Sequence, residues 1–266
     1  MATNIELEIA RLHSKKADGV PIAALTAYDY PTARLLEECD IDFILVGDSL
    51  GMVILGYPDT THVSMGDMLH HLRAVVRGVL NTLIIADMPF GSYPDPATAL
   101  ANAQRFTQCG ASAVKLEGGQ AIEHQVKALV KSGIPVMGHI GMLPQSVVKE
   151  GGYSRKGTTP EGKLQLLADA KLLEAAGAFA VVIELVQAEV ASEISTALRI
   201  PTIGIGSGSL CDGQILVTHD LIGLFPWFRP KFARPEADIA GEIKRAVQQF
   251  IHRTHHPIEQ KSAKNN

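Results

Sequence analysis

Eight short runs of aliphatic, largely β-branched residues constrain this chain most: 22–27 (IAALTA), 43–48 (FILVGD), 83–88 (LIIADM), 113–118 (AVKLEG), 135–140 (PVMGHI), 180–185 (AVVIEL), 201–206 (PTIGIG) and 214–219 (QILVTH). Between most of them, apolar residues recur at helical spacing, as in 30–39, 96–110, 161–177 and 189–199, with Gly110 and Gly177 closing two of the helices. Near-continuous apolar strands separated by helices are parallel strands buried on both faces. Eight such units predict an α/β fold, the (β/α)8 TIM barrel. A doubly wound open sheet is the competing fold, but it wants a Gly-rich turn after the first strand, and LTAYDYPTA has none. The reading is one barrel domain over 1–252, a last helix over 236–252, and a disordered polar tail over 253–266. The polar, Gly-rich stretch 150–162 fits either a lid or a plain surface loop.

Barrel enzymes carry their chemistry at the C-terminal ends of the strands. Those ends hold Asp48, Asp87, Glu117 and Glu184, and His139 stands at the end of the fifth. Lys115 lies two residues before Glu117, so both share one face of the fourth strand. Taken singly, an acid after a strand is a turn former or a helix N-cap. Four acids converging on one mouth repel unless positive charge sits among them. Lys115 offsets one charge, and a divalent cation would offset two more. Carboxylates without cysteine favour Mg²⁺ over Zn²⁺.

Other features are weaker. IGIGSG (203–208) could cradle a phosphate or serve only close backbone packing, and it lacks the lysine of a P-loop. His70 and His71 read as structural or solvated, and GMVILGY (51–57) as packing. The formal net charge of −4 makes no electrostatic case for nucleic acid or a membrane surface. The longest oily stretch, AAGAFAVVIELV, is too short to span a bilayer and contains Glu184. The N-terminus has no apolar signal region. Cys39, Cys109 and Cys211 are widely spaced, as expected for reduced thiols of a cytoplasmic protein.

The segments TAYDY, LVGDSLGM, ADMPFGSY, VKLEGG, GHIGMLPQSV, GGY, IGIGSG and CDGQILVTHD, in this order over about residues 4–250, closely resemble the ketopantoate hydroxymethyltransferase family. The resemblance implies a (β/α)8 barrel of the phosphoenolpyruvate/pyruvate type, assembled as a homo-oligomer, a decamer. It implies an enzyme of pantothenate biosynthesis that moves a one-carbon unit from 5,10-methylenetetrahydrofolate to the small 2-oxo acid 3-methyl-2-oxobutanoate. Metal binding then falls on Asp48, Asp87 and Glu117, and substrate contacts fall on Asp48, Ser49, Asp87 and Lys115. His139 matches a pocket histidine and Glu184 the catalytic base. Ser207 departs from the alanine common in relatives, and 56–64 and the residues after PKF also vary; none of these removes a chemical group.

This chemistry suits these residues. The carboxylate and keto oxygen of a 2-oxo acid chelate Mg²⁺ together, which stabilises an enolate. Glu184, in an oily strand, is expected to bind a proton more tightly than an exposed glutamate and to take the one on C3. Lys115 either neutralises substrate charge or assists proton movement. Two rivals remain. A lyase of the same superfamily would carry a KKCGH-type cysteine motif, and none of the three cysteines sits in one. A non-catalytic binder would be expected to have lost one of the acids. No motif reads as a pterin clamp.

Overall fold

All eight aliphatic runs form strands: β1 Ile22–Thr26, β2 Phe43–Val46, β3 Leu83–Asp87, β4 Ala113–Glu117, β5 Val136–Gly141, β6 Ala180–Glu184, β7 Thr202–Ile205 and β8 Gly213–Leu216. They pair in parallel in sequence order, and β8 closes onto β1. The (β/α)8 barrel is therefore the fold of this chain. The computed structural model describes residues 4–256. The described residues form two compact units, divided between Val217 and Thr218. Most strands stop one or two residues earlier than their apolar runs; β2 ends at Val46, which leaves Asp48 on the loop that follows.

Period-two alternation divides the barrel's apolar residues between two cores. Ala24, Phe43, Leu45, Leu83, Ile85, Ala113, Met137, Val182, Ile203 and Ile215 form one cluster, joined by Leu12 from an N-terminal helix, Asn4–Ala17. Their strand neighbours Ile44, Val46, Ile84, Val114, Leu116, Val181 and Ile183 cluster with Leu36, Leu72, Phe106, Val126, Leu129, Leu173 and Ile194 of the surrounding helices. Each large side chain fully buried this way stabilises by about 1.5–3 kcal/mol.

Helix ends follow the sequence. The Tyr30–Glu38 helix starts with Pro31 after Asp29, whose carboxylate accepts from Thr32 N. The Pro96–Gln108 helix repeats the device with Asp95. It ends in a C-cap at Cys109, followed by Gly110 at φ +103°, where a Cβ would come within 2.8 Å of Val76.

Two carboxylates tie the Asn4–Ala17 helix to the barrel: Asp212, which accepts from Lys16 Nζ at 2.6 Å, and Asp42. Asp42 accepts from Arg11 Nη1 (2.6 Å), Lys15 Nζ (2.6 Å) and the backbone N of Ala23 (2.9 Å). Burial resists its ionisation, but Lys15, the Ala23 amide and Arg11 outweigh it and hold the carboxyl below its usual range. A depressed acid adds stability above its unfolded pKa of about 3.9 and loses it as pH falls through the folded value. Asp42→Asn is therefore expected to cost about 2 kcal/mol at pH 7. The gap to the parent chain should narrow below about pH 4, as urea unfolding at both pH values would show.

In the second unit, the Ile239–His255 helix is capped by Asp238, which accepts from Gly241 N. It starts three residues later than the sequence pattern predicts, and it continues through 253–255, which had read as tail. The remainder of that tail, 257–266, lies outside the described residues. Ile243, Val247, Phe250 and Ile251 on this helix are exposed. Among the described residues no helix is long and apolar enough to cross a membrane.

Candidate active site

Strand register assembles the site. β3 pairs Asp87 with Lys115, β4 pairs Glu117 with His139, and β5 pairs Gly141 with Glu184. Asp87 and Lys115 thus lie side by side, and Glu117 and His139 lie two residues further along. Asp48 joins from the β2 loop, where its backbone N donates to Asp87 Oδ2 at 3.0 Å. Gly47 leaves room for this approach, since a Cβ there would sit 3.4 Å from Asp87 Oδ2 and 2.9 Å from Ser49 Oγ.

Lys115 Nζ lies 2.7 Å from Asp87 Oδ1, 3.3 Å from His139 Nδ1 and 4.0 Å from Glu117 Oε1. His139 spans two acids, with Nδ1 3.4 Å from Glu117 Oε1 and Nε2 3.1 Å from Glu184 Oε2. The structure therefore brings together Asp48, Asp87, Lys115, Glu117, His139 and Glu184. All are buried except Glu184, whose side chain is 13% exposed. Ser49 stands beside Asp48, and its Oγ hydrogen-bonds the Tyr28 hydroxyl at 2.8 Å.

Such crowding sets the proton affinities. Burial, then the charges of Asp87 and Glu117, pushes Asp48 well above the usual carboxylate range. Burial also raises Asp87, against the pull of Lys115. Glu117 goes the other way: burial opposes its ionisation, but His139, Lys115 and the Gln145 amide outweigh that. Burial likewise disfavours the Lys115 ammonium, yet the three acids around it raise its proton affinity above that of a free lysine. His139 is pushed up to about 9, because Glu117 and Glu184 overcome both burial and the repulsion of Lys115.

Two buried carboxylate oxygens, Asp87 Oδ1 and Glu117 Oε1, have no aligned hydrogen-bond donor, although cationic groups lie close to both. Asp48 Oδ2 accepts a side-chain hydrogen bond from Gln145 Nε2 at 2.8 Å. Among the described residues no three His, Cys, Asp or Glu side chains converge into a metal cage. Hard oxygen donors with spare lone pairs fit a cation that takes one or two carboxylates and fills its other positions with water and substrate, as Mg²⁺ does.

Around β6 the backbone is tightly specified. Leu185, next after Glu184, has φ +48°, and its N donates to Ile205 O at 2.9 Å. Gly141 must be glycine, since at φ +99° a Cβ would fall 2.2 Å from Glu184 O. Within IGIGSG, Ser207 Oγ accepts from Val186 N at 3.0 Å and donates to Ile183 O at 2.8 Å, bracketing Glu184 and Leu185. The 150–162 loop is anchored here too: Lys156 N donates to Leu185 O (2.8 Å) and Arg155 Nη1 to Val186 O (3.0 Å).

Sequence reasoning missed Gln145 and Tyr93. Gln145 is buried against Asp48 and Glu117, and its side-chain oxygen accepts from the Tyr93 hydroxyl at 2.6 Å. Gln145 lies in a single 3-10 turn, Pro144–Ser146, and Tyr93 on a loop, inside the segments LPQSV and GSY, which carry no periodic signal. A cleft of about 160 Å³ opens beside Glu117 and Gln145, walled by Phe90, Tyr93 and Pro94.

Comparison with known proteins covers almost the whole chain. The sequence profile of ketopantoate hydroxymethyltransferase matches residues 6–257. A 3-methyl-2-oxobutanoate hydroxymethyltransferase from Dehalococcoides mccartyi is 53% identical over 245 residues, covering 91% of this chain and 87% of that one. The protein of the same name from Ignicoccus hospitalis is 50% identical, covering 92% and 93%. Among solved structures, phosphonopyruvate hydrolase in complex with oxalate and Mg²⁺ superposes with a TM-score of 0.64 at 15% identity, over 97% of this chain and 92% of that one. For 2,3-dimethylmalate lyase, a member of the PEP mutase/isocitrate lyase superfamily, the TM-score is 0.60 at 15% identity, over 100% and 93%. At such identities the likeness is one of fold.

Proposed function

The chain belongs to the ketopantoate hydroxymethyltransferase family and is an enzyme, and from that premise we propose that it transfers a hydroxymethyl group from 5,10-methylenetetrahydrofolate to 3-methyl-2-oxobutanoate, yielding ketopantoate for pantothenate synthesis. The observation that carries this reading is the grouping of Asp48, Asp87, Lys115 and Glu117 in one buried cluster, with the partly exposed Glu184 beside them.

Asp48 and Asp87 would hold Mg²⁺, with Glu117 acting directly or through water. The ion, when bound, supplies Lewis-acid stabilisation of negative charge on the keto oxygen of the substrate. Ser49 and Lys115 bind the 2-oxo acid. Lys115 Nζ, 2.7 Å from Asp87 Oδ1, is placed to neutralise substrate charge. Glu184 removes the proton from C3, for which it must come within about 3 Å. His139 Nε2, 3.1 Å from Glu184 Oε2, leaves Oε1 for that proton. The C3 carbanion equivalent then forms a C–C bond to the methylene carbon of the folate as one of that carbon's two C–N bonds breaks, the freed nitrogen taking the proton held by Glu184. Water then replaces the second nitrogen at that carbon, its oxygen completing the hydroxymethyl group and its proton passing to the departing nitrogen of tetrahydrofolate.

The test is direct. Incubated with 3-methyl-2-oxobutanoate, methylenetetrahydrofolate and Mg²⁺, the protein is expected to form ketopantoate, and to form none if either organic substrate is left out. A lyase would consume the acid without folate, and a binder would leave it unchanged. The same reading makes the protein a cytoplasmic homo-oligomer, a decamer as the family resemblance implies. Three free thiols and the exposed apolar residues of Ile239–His255 support it, and sedimentation analysis tests the assembly.

A further inference from the structure

Gln145 makes every kind of hydrogen bond that its amide allows, and it makes them to the acid cluster. Its Nε2 donates to Asp48 Oδ2 at 2.8 Å and to Met88 O at 2.9 Å. Its Oε1 accepts from the Tyr93 hydroxyl at 2.6 Å. Its backbone N donates to Glu117 Oε2 at 3.0 Å. Tyr93 is itself fixed, since Gln125 Nε2 donates to its carbonyl at 3.1 Å. Burial pushes the Tyr93 hydroxyl up, so it stays a donor at any working pH.

This wiring permits one orientation. If the amide turned over, Oε1 would face Asp48 Oδ2 and Met88 O, two acceptors, while the NH₂ faced a donor. Asp48 Oδ2 and Met88 O therefore fix which way the amide faces, and the Tyr93 hydroxyl holds it there by donating to Oε1. Gln145 engages Asp48 Oδ2 and Glu117 Oε2 and leaves the other oxygen of each acid, Asp48 Oδ1 and Glu117 Oε1, untouched; His139 Nδ1 lies 3.4 Å from the latter.

We propose that Gln145, its amide held by Tyr93, is a positioning residue whose side chain turns Asp48 so that it presents a single oxygen, Oδ1, to a hard divalent cation, beside Glu117, which the Gln145 backbone N–H holds. The proposal rests on the reading of these acids as a cation site. Mg²⁺ tolerates little departure from octahedral geometry, and a carboxylate free to swing binds it, or its mimic Mn²⁺, worse than one held still, because binding must then also immobilise the side chain. Partners behind metal-binding carboxylates typically contribute 10–100-fold in affinity.

The experiment titrates the full-length protein with Mn²⁺, without substrate, and follows free Mn²⁺ by electron paramagnetic resonance. Gln145→Met keeps the side-chain volume and removes the amide; it should weaken binding about 10–100-fold. Tyr93→Phe keeps the amide but unlocks it, and should weaken binding about 2–10-fold. In the Gln145→Met background, Tyr93→Phe should change nothing more, a non-additivity that a merely structural role for either residue would not produce. Unchanged affinity in Gln145→Met, or independent multiplying effects in the double variant, would overturn the proposal. If Gln145→Met does not fold, Tyr93→Phe alone decides, and parental affinity there overturns it. Failure of the parent protein to bind Mn²⁺ overturns the cation site itself, and shows before any variant is made.

Discussion

Glu184→Gln is expected to bind 3-methyl-2-oxobutanoate and yet fail to exchange its C3 proton with deuterated water. The substitution keeps shape and volume. It also keeps an oxygen near His139 Nε2, which stands 3.1 Å from Glu184 Oε2 in the parent chain. What it removes is the capacity to accept a proton, since a neutral amide is no base at these pH values. A positioned general base typically contributes 10²–10⁴-fold, so exchange and ketopantoate formation should fall together by about that factor. Binding of the 2-oxo acid, assigned to Asp48, Ser49, Asp87 and Lys115, should change little. NMR of the C3 proton separates the two effects, and because the exchange needs no folate it isolates this step from the second substrate. Exchange at the parental rate would take the role of base away from Glu184.

Lys115→Met is expected to be the most destabilising single change at the site. The ammonium is 5% exposed and lies 2.7 Å from Asp87 Oδ1, in a site that also buries Asp48 and Glu117. Removing one partner of a buried ion pair costs about 3–5 kcal/mol, because the remaining charge has lost its compensation. The cost depends on pH in a definite direction. Asp48 and Asp87 already bind protons more tightly than in an unfolded chain, and without Lys115 they would do so more strongly still. A raised carboxyl favours the folded state only while it is protonated, so the variant should lose stability as pH rises from about 5 to 8. Added Mg²⁺ should recover more melting temperature in Lys115→Met than in the parent, since the cation would replace the missing positive charge. Thermal unfolding at both pH values, with and without Mg²⁺, checks this. A variant melting like the parent at pH 8 would show that the ammonium is not what lets the acids coexist.

Gln145 shows where reading from sequence stops. Asp87, Lys115, Glu117, His139 and Glu184 could be picked out because each ends or lines an apolar strand, and strand ends in a barrel converge. Asp48 could be picked out on the same ground, although the structure places it two residues beyond β2. Gln145 lies in a short 3-10 turn after β5 and Tyr93 on the loop after β3, and nothing in LPQSV or GSY says that these two side chains meet at 2.6 Å. The Asn4–Ala17 helix went unread for a similar reason: its polar sequence, NIELEIARLHSKKA, gives little sign that Leu12 is fully buried among barrel residues.

The sequence by itself determined the element order, the closed parallel architecture that eight apolar runs impose, and the family to which the chain belongs. Local patterning carries that much, because burial on both faces writes itself into consecutive residues. Tertiary structure alone decided which oxygens remain available, that His139 bridges Glu117 and Glu184, and that Lys115 holds its proton more tightly rather than less. Those outcomes depend on distances between residues as far apart in sequence as Asp48 and Gln145, and on how far burial and neighbouring charge offset one another at each group. Neither quantity is local, so neither is written in any short stretch of the chain.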